Sequence, residues 1–140
     1  DTLLGTSLVL GAVALPFSIF LMRNTFKDIP DEIKESAEMD GASEWRIFIQ
    51  IMLPLAKPGI SAMLVFAFLA AWNDFLIPYL LLLSKDNLTI PIGLYYFQGQ
   101  HTTNYALIYG ATLISMIPSI IVYLILQRQF IEGMAAGSAK

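Results

Sequence analysis

The 140 residues contain no cysteine and one histidine, His101. Within them no disulfide framework is possible, nor a zinc site built from Cys and His. No glycine-rich phosphate loop of the GxxxxGK[ST] kind occurs either. Any ATP to which this chain responds is therefore bound by another polypeptide. Charge is scarce, at 14% of residues, where ordinary soluble domains carry about 25%. The sequence shows no internal repeat and no low-complexity segment.

The charge that is present is clustered. Residues 3–22 and 105–127 have none, and residues 59–83 have only Asp74. A helix needs about 20 apolar residues to cross a hydrocarbon core of about 30 Å, and all three segments meet that length. They predict an all-α, polytopic transmembrane helical bundle. Its spans cover 3–22, 59–83 and 105–127, separated by a loop at 23–57, a loop at 84–104 and a tail at 128–140. The first segment is not a secretory signal, because no basic residue precedes it and Arg23 and Lys27 follow it. The chain starts at Asp1 without an initiator Met, and three helices enclose a transport path poorly. It is expected to be a piece of something longer.

Lys and Arg divide unevenly among the connections. Arg23, Lys27, Lys34, Arg46 and Lys57 lie in the 23–57 insert, Arg128 and Lys140 in the tail, and Lys85 alone in the 84–104 loop. By the positive-inside rule the insert and the C-terminus are cytoplasmic, and residues 84–104 and residue 1 are outside.

Pro16 and Pro118 sit inside spans, where neighbouring helices re-satisfy the freed carbonyl and the result is a kink. Ala111, Ser115 and Ser119 recur every four residues, a spacing that lets helices approach closely.

The insert reads as helix, glycine turn, helix. Pro30 suits a first helical position, and Asp31 and Glu32 complement the helix dipole. This first helix covers about 30–40. Gly41 ends it, because glycine takes a left-handed cap without penalty. Ser43 is placed to cap the next helix, with Glu44 in its first turn. Trp45, Phe48, Ile49 and Met52 fall at i, i+3, i+4 and i+7 and predict one apolar stripe. Pro54 and Pro58 mark the approach to the second span. Such a pair can lie on the membrane, pack on the ends of its own spans, or dock into a partner. Its seven acidic residues outnumber its five basic ones, which argues against an anionic lipid surface.

Glu35-Ser36-Ala37, then Gly41 after three residues, Ile51 after nine more, and Leu53-Pro54 after another one resembles the EAA---G---------I-LP loop of ABC importer permeases. Ser36 replaces an alanine of the motif. The stretches "LPFSIFLMRNTFKDIPDEIKESAEMDGASEW", "FLAAWNDFLIPYLLL", "PIGLYYFQGQ" and "QRQFIEGMAAGSAK" are similar to the carbohydrate-uptake branch, in particular its second permease of the maltose and glycerol-phosphate type. The tail looks like a native C-terminus. The resemblance implies the last three of about six spans of a non-catalytic transport subunit in a bacterial or archaeal cytoplasmic membrane. It also implies partners: a second permease, ABC ATPase subunits that hold the ATP–Mg, and an extracytoplasmic solute-binding protein. No cofactor is expected on this chain, and no nucleic acid. The insert then corresponds to the coupling helices, and Glu35, Ala37, Asp40, Gly41, Trp45, Phe48, Ile49, Leu53 and Pro54 are its expected contacts with the ATPase.

A second group of candidates lies toward the other side. Asn73 and Asp74 interrupt the second span. From Pro58 to Asp74 is 16 rises, or about 24 Å at ~1.5 Å each, which places the pair near the outer interface. They are either an interfacial polar pair or part of a gate or substrate path. Trp72 fits the interfacial aromatic belt. Tyr95, Tyr96, Phe97 and Tyr105 mix with Gln98, Gln100, His101 and Asn104. Aromatic faces and amides suit sugar rings or a receptor, and tyrosine is equally expected at an interface. His101 has no second metal ligand nearby. Two rivals remain: an ion-coupled secondary transporter fragment, which needs a deeper carboxylate than Asp74, and a membrane anchor subunit of a cytoplasmic complex.

Overall fold

The computed structural model describes residues 1–97 and 105–137, without the side chains of 128–137. Helix α1 spans Leu3–Lys27, α2 Asp31–Met39, α3 Glu44–Ile47, α4 Leu53–Leu55, α5 Lys57–Asn73, α6 Leu76–Leu81, α7 Ile90–Tyr96 and α8 Tyr105–Gly137. A π-helical turn, Phe48–Met52, joins α3 to α4, and a 3₁₀ turn covers Lys85–Asn87. The described residues contain no strand, and the fold is all-α.

Among the described residues two helices, Leu3–Lys27 and Tyr105–Gln127, are long and apolar enough to cross a membrane, and a third span is counted if the bent pair Glu44–Leu55 and Lys57–Asn73 is one. The leucines, isoleucines and phenylalanines of the first two are mostly exposed. Continuous apolar surface of this extent suits lipid or further protein, not water. This is a multi-pass membrane protein.

The second apolar segment, read as one span over 59–83 with Asn73 and Asp74 interrupting it, is built from two helices. Helix α5 stops at Asn73, and α6 restarts at Leu76. Local hydrogen bonding explains the break. The Asp74 carboxylate accepts the Ile77 N–H at 2.9 Å, and the Asn73 amide donates back to the Leu69 carbonyl at 2.8 Å. Short polar side chains that satisfy the backbone in this way compete with a continuous ladder.

At its other end, α5 is bent by 69° from the Glu44–Leu55 segment. Pro58 has no N–H to offer the Pro54 carbonyl, and its ring crowds that carbonyl, which locates the bend. Ala56 sits at the bend and is fully buried. Its N–H bonds to Met52 and its carbonyl accepts from Ile60, each at 2.9 Å.

The chain divides into two compact units. One comprises Asp1–Leu15 and Ala67–Leu124. Here the Asp1 carboxylate accepts the N–H groups of Leu83 (3.0 Å) and Ser84 (3.3 Å) and the Ser84 hydroxyl (3.3 Å), while Ile92, Pro78 and Leu82 are buried. The other comprises Pro16–Phe66 and the chain from Ile125 onward. In it Phe17 meets Phe66 edge-on at 5.6 Å, and Ala37, Ile47, Ala56, Ala62 and Val65 are buried.

Candidate functional site

The insert begins one residue later than expected. Pro30 has φ −59° and ψ 136°, so it precedes the helix instead of opening it, and its carbonyl accepts the Ile33 N–H at 3.2 Å. Asp31 and Glu32 then occupy the first turn, where the dipole favours negative charge. Ser36, the departure from the motif, donates its hydroxyl to the Glu32 carbonyl at 2.7 Å on an exposed face. The hydroxyl is satisfied inside its own helix and buries no polar group.

The end of α2 is a Schellman turn. The Ala42 N–H bonds back to the Ala37 carbonyl, and the Gly41 N–H to the Glu38 carbonyl, each at 3.0 Å. These are the nested bonds that satisfy the last carbonyls of a helix. Gly41 has φ +77°. A Cβ built there would meet nothing within 4 Å, so the demand for glycine is conformational and not steric. Ala37 is buried, while Glu35 and Asp40 are exposed beside the turn.

Two expectations for the second helix need correction. Ser43 holds the N-cap position with φ −70° and ψ 156°, but its hydroxyl makes no capping bond. Its backbone carbonyl starts the helix by accepting the Ile47 N–H at 2.9 Å. The single stripe of Trp45, Phe48, Ile49 and Met52 is also broken, because Phe48–Met52 is a π turn in which the Leu53 N–H reaches the Phe48 carbonyl five residues back. Pro54 is the cause. Its ring would collide with the Gln50 carbonyl in a regular helix, and one extra residue in the turn relieves that clash. The extra residue rotates the succeeding turn by about 100°, so residues on either side of it no longer share one face.

Burial also departs from the expected stripe. Ile47, at 2% exposure, anchors the segment, whereas Trp45 is 73% and Ile49 55% exposed. Phe48 is partly covered, its ring 6.1 Å from those of Phe26 and Trp45. Met39, just before the turn, is 88% exposed. Leu53 is half-buried and Pro54 exposed. Met39, Ile47, Ala56 and Phe26 do not stand out in the sequence. For Ile47 a signal existed, since Ile47 and Ile51 form a second apolar row at i, i+4. The insert thus leaves large apolar side chains exposed around a hydrogen-bonded glycine turn.

The second set of candidates belongs to the other unit. Asn73 and Asp74 form the helix break described above. Tyr95 and Tyr96 lie on α7 in a run of rings: Phe75–Tyr79 at 5.0 Å, Phe75–Tyr95 at 5.5 Å, Tyr79–Tyr95 at 5.7 Å and Tyr95–Tyr96 at 6.1 Å. Phe75 and Tyr79 carry no signal in the sequence because their closeness to Tyr95 is tertiary. Gln98 and Gln100, with His101 and Asn104, lie outside the described residues.

A family model described as "Binding-protein-dependent transport system inner membrane component" matches residues 1–135. Among similar proteins, the arabinooligosaccharides transport system permease protein AraQ of Bacillus subtilis (strain 168) is 36% identical over 135 residues, covering 96% of this chain and 48% of that protein. The diacetylchitobiose uptake system permease protein NgcG of Streptomyces coelicolor is 34% identical over 136 residues, covering 96% of this chain and 45% of its own. The maltodextrin transport system permease protein MdxG of Bacillus subtilis (strain 168) is 35% identical over 136 residues, with 96% and 49% covered. The chain spans about half the length of these curated relatives. With a match over nearly its whole length to a family of apolar helical permeases, this chain belongs to the binding-protein-dependent transport system inner membrane components.

Proposed function

We propose that the chain is the membrane-embedded part of a permease subunit in an ABC importer for a sugar or a related polyol or glycerol-phosphate solute. It performs no chemistry. ATP–Mg is bound and hydrolysed by partner ATPase subunits, and the chain turns their motion into alternating access. A second permease completes the path, and an extracytoplasmic solute-binding protein delivers the solute. The setting is the cytoplasmic membrane of a bacterium or archaeon, with the insert and the C-terminus in the cytoplasm and the 84–104 loop outside. The sugar transport named in the relatives supports the solute class.

One observation carries the coupling role: the glycine turn at 37–42 fixes a short helical insert whose Met39, Trp45 and Ile49 are exposed. Large apolar side chains on a charged loop are costly in water and suit a groove on another protein. Glu35 and Asp40 flank that surface as polar contacts, and Ala37, Gly41, Phe48, Leu53 and Pro54 hold its shape. Asn73, Asp74, Tyr95, Tyr96, Gln98 and Gln100 serve solute passage or receptor contact at the other side. The test is purification of the tagged, full-length permease in mild detergent. An ATP-hydrolysing chain should come with it, and uptake should persist when the proton gradient is collapsed at constant ATP. Uptake that dies with the gradient while ATP is maintained would mark an ion-coupled transporter instead.

A further inference from the structure

Trp72 does more than stand at an interface. Its indole N–H donates to the Ser115 carbonyl at 3.1 Å, 43 residues away in sequence. Its ring stacks on Phe68, one turn back, with centroids 5.5 Å apart and planes 17° apart. All three residues belong to the same compact unit. Trp72 lies in the last turn of α5, next to Asn73, which closes it.

The acceptor is placed just as specifically. Ser115 lies three residues before Pro118 in α8. Pro118 has no N–H for the Ile114 carbonyl, and its ring crowds that turn. The Ser115 hydroxyl bonds back to the Thr112 carbonyl, and the Thr112 hydroxyl to the Ile108 carbonyl, each at 2.7 Å. Back-bonding of this kind bends helices. The indole is therefore fastened to the turn of α8 that carries Pro118 and these back-bonded hydroxyls. The Ser115 carbonyl has the Ser119 N–H as its regular ladder partner, so α8 gives up little by accepting a second donor. In apolar surroundings the indole, by contrast, needs an acceptor.

We infer that Trp72 is a positioning residue, which ties the last turn of α5 to the proline turn of α8 so that the two helices shift as one body during transport. In the chain α5 comes directly after the insert, and the inference rests on the reading of that insert as the coupling element. Without the tie, hydrolysis on the ATPase proceeds but α8 tracks α5 less faithfully. The loss falls on solute moved per ATP, not on the hydrolysis rate.

The experiment uses the complete transporter in liposomes: full-length permease, second permease, ATPase and solute-binding protein. ATP hydrolysis and uptake of labelled maltotriose are measured together, with labelled arabinotriose as the probe if the wild-type complex does not take up the first. Trp72→Phe keeps a stacking ring and removes the N–H. Sugar moved per ATP should fall about threefold, and by no more than about twentyfold, the range set by interhelical hydrogen bonds in membranes, with hydrolysis near the wild-type rate. Ser115→Ala leaves the accepting carbonyl in place and removes only the back-bonding hydroxyl, so any fall in the ratio should be smaller than that of Trp72→Phe, and a fall as large would overturn the tie. Phe68→Leu removes the stacking partner and should lower the ratio in the same direction, and it decides the matter if Trp72→Phe does not assemble. A wild-type ratio in the variant that assembles, or a parallel fall of uptake and hydrolysis, overturns the tie. Uptake by the wild-type complex without ATP hydrolysis would instead overturn the importer reading on which it rests.

Discussion

Gly59 on α5 lies so close to Thr25 on α1 that a Cβ at Gly59 would fall under 3.0 Å from the Oγ1, Cγ2 and Cβ atoms of that threonine. Thr25 cannot easily turn aside, because its hydroxyl is held by the Leu21 carbonyl at 3.0 Å. Here two helices meet through a glycine because any side chain would separate them.

Gly59→Ala should therefore destabilise the protein by about 1–3 kcal/mol, the usual cost of overpacking. Thr25→Gly removes all three atoms in the way, so the double variant should recover part of that loss, net of the helix penalty for glycine. Thermal unfolding of the detergent-purified protein reads both values. A Gly59→Ala protein as stable as wild type would mean that the contact is loose.

At Gly41 the constraint is of a different kind. Space is open around it, but φ is +77°. Gly41→Ala should cost about 1–2 kcal/mol for the left-handed conformation, and Gly41→Val more, since a β-branched side chain is a genuine outlier there. Gly41→Val is expected to reach the membrane in normal amount yet lose its ATPase or fail to transport. Wild-type uptake and full assembly of that variant would remove the turn from the coupling element.

Trp45 and Ile47 are two residues apart and should behave oppositely. Trp45 is exposed and Ile47 is buried. Trp45→Ser should change stability by no more than about 0.5 kcal/mol while weakening association with the ATPase by about 2 kcal/mol, or ~30-fold, as for a buried aromatic anchor. Ile47→Ala should cost about 2–5 kcal/mol of stability. Pull-down of the ATPase beside a thermal melt separates the two effects. If Trp45→Ser binds the ATPase as well as wild type, the exposed face is not the docking surface.

Orientation can be read from single cysteines, introduced one at a time into these 140 residues, which contain none. Cysteines at Lys85 and Asn87 should react with a membrane-impermeant thiol reagent in whole cells, whereas one at Arg46 should not. The warrant is the clustering of Lys and Arg in the insert. Labelling at Arg46 from outside would reverse the topology.

The features legible in the sequence are those set by neighbours within a few residues or by composition. Charge-free runs mark α1 and α8 as long apolar helices because the cost of burying charge in lipid depends on little else. The helix–turn–helix insert and the positive φ of Gly41 arise from local backbone chemistry, with Gly41 bonded no farther than Glu38 and Ala42 no farther than Ala37. The break after Asn73 is half visible. Two polar residues stand out in an apolar run, but that Asp74 accepts the Ile77 N–H depends on which way its carboxylate turns. The π turn depends on how the chain relieves Pro54. The buried anchor is Ile47, in α3 ahead of that turn, and not a residue of the expected stripe. Gly59 against Thr25 and Trp72 on Ser115 are beyond any local pattern. Each joins residues on different helices, and whether a small residue or an indole finds a partner there is settled only when the helices pack.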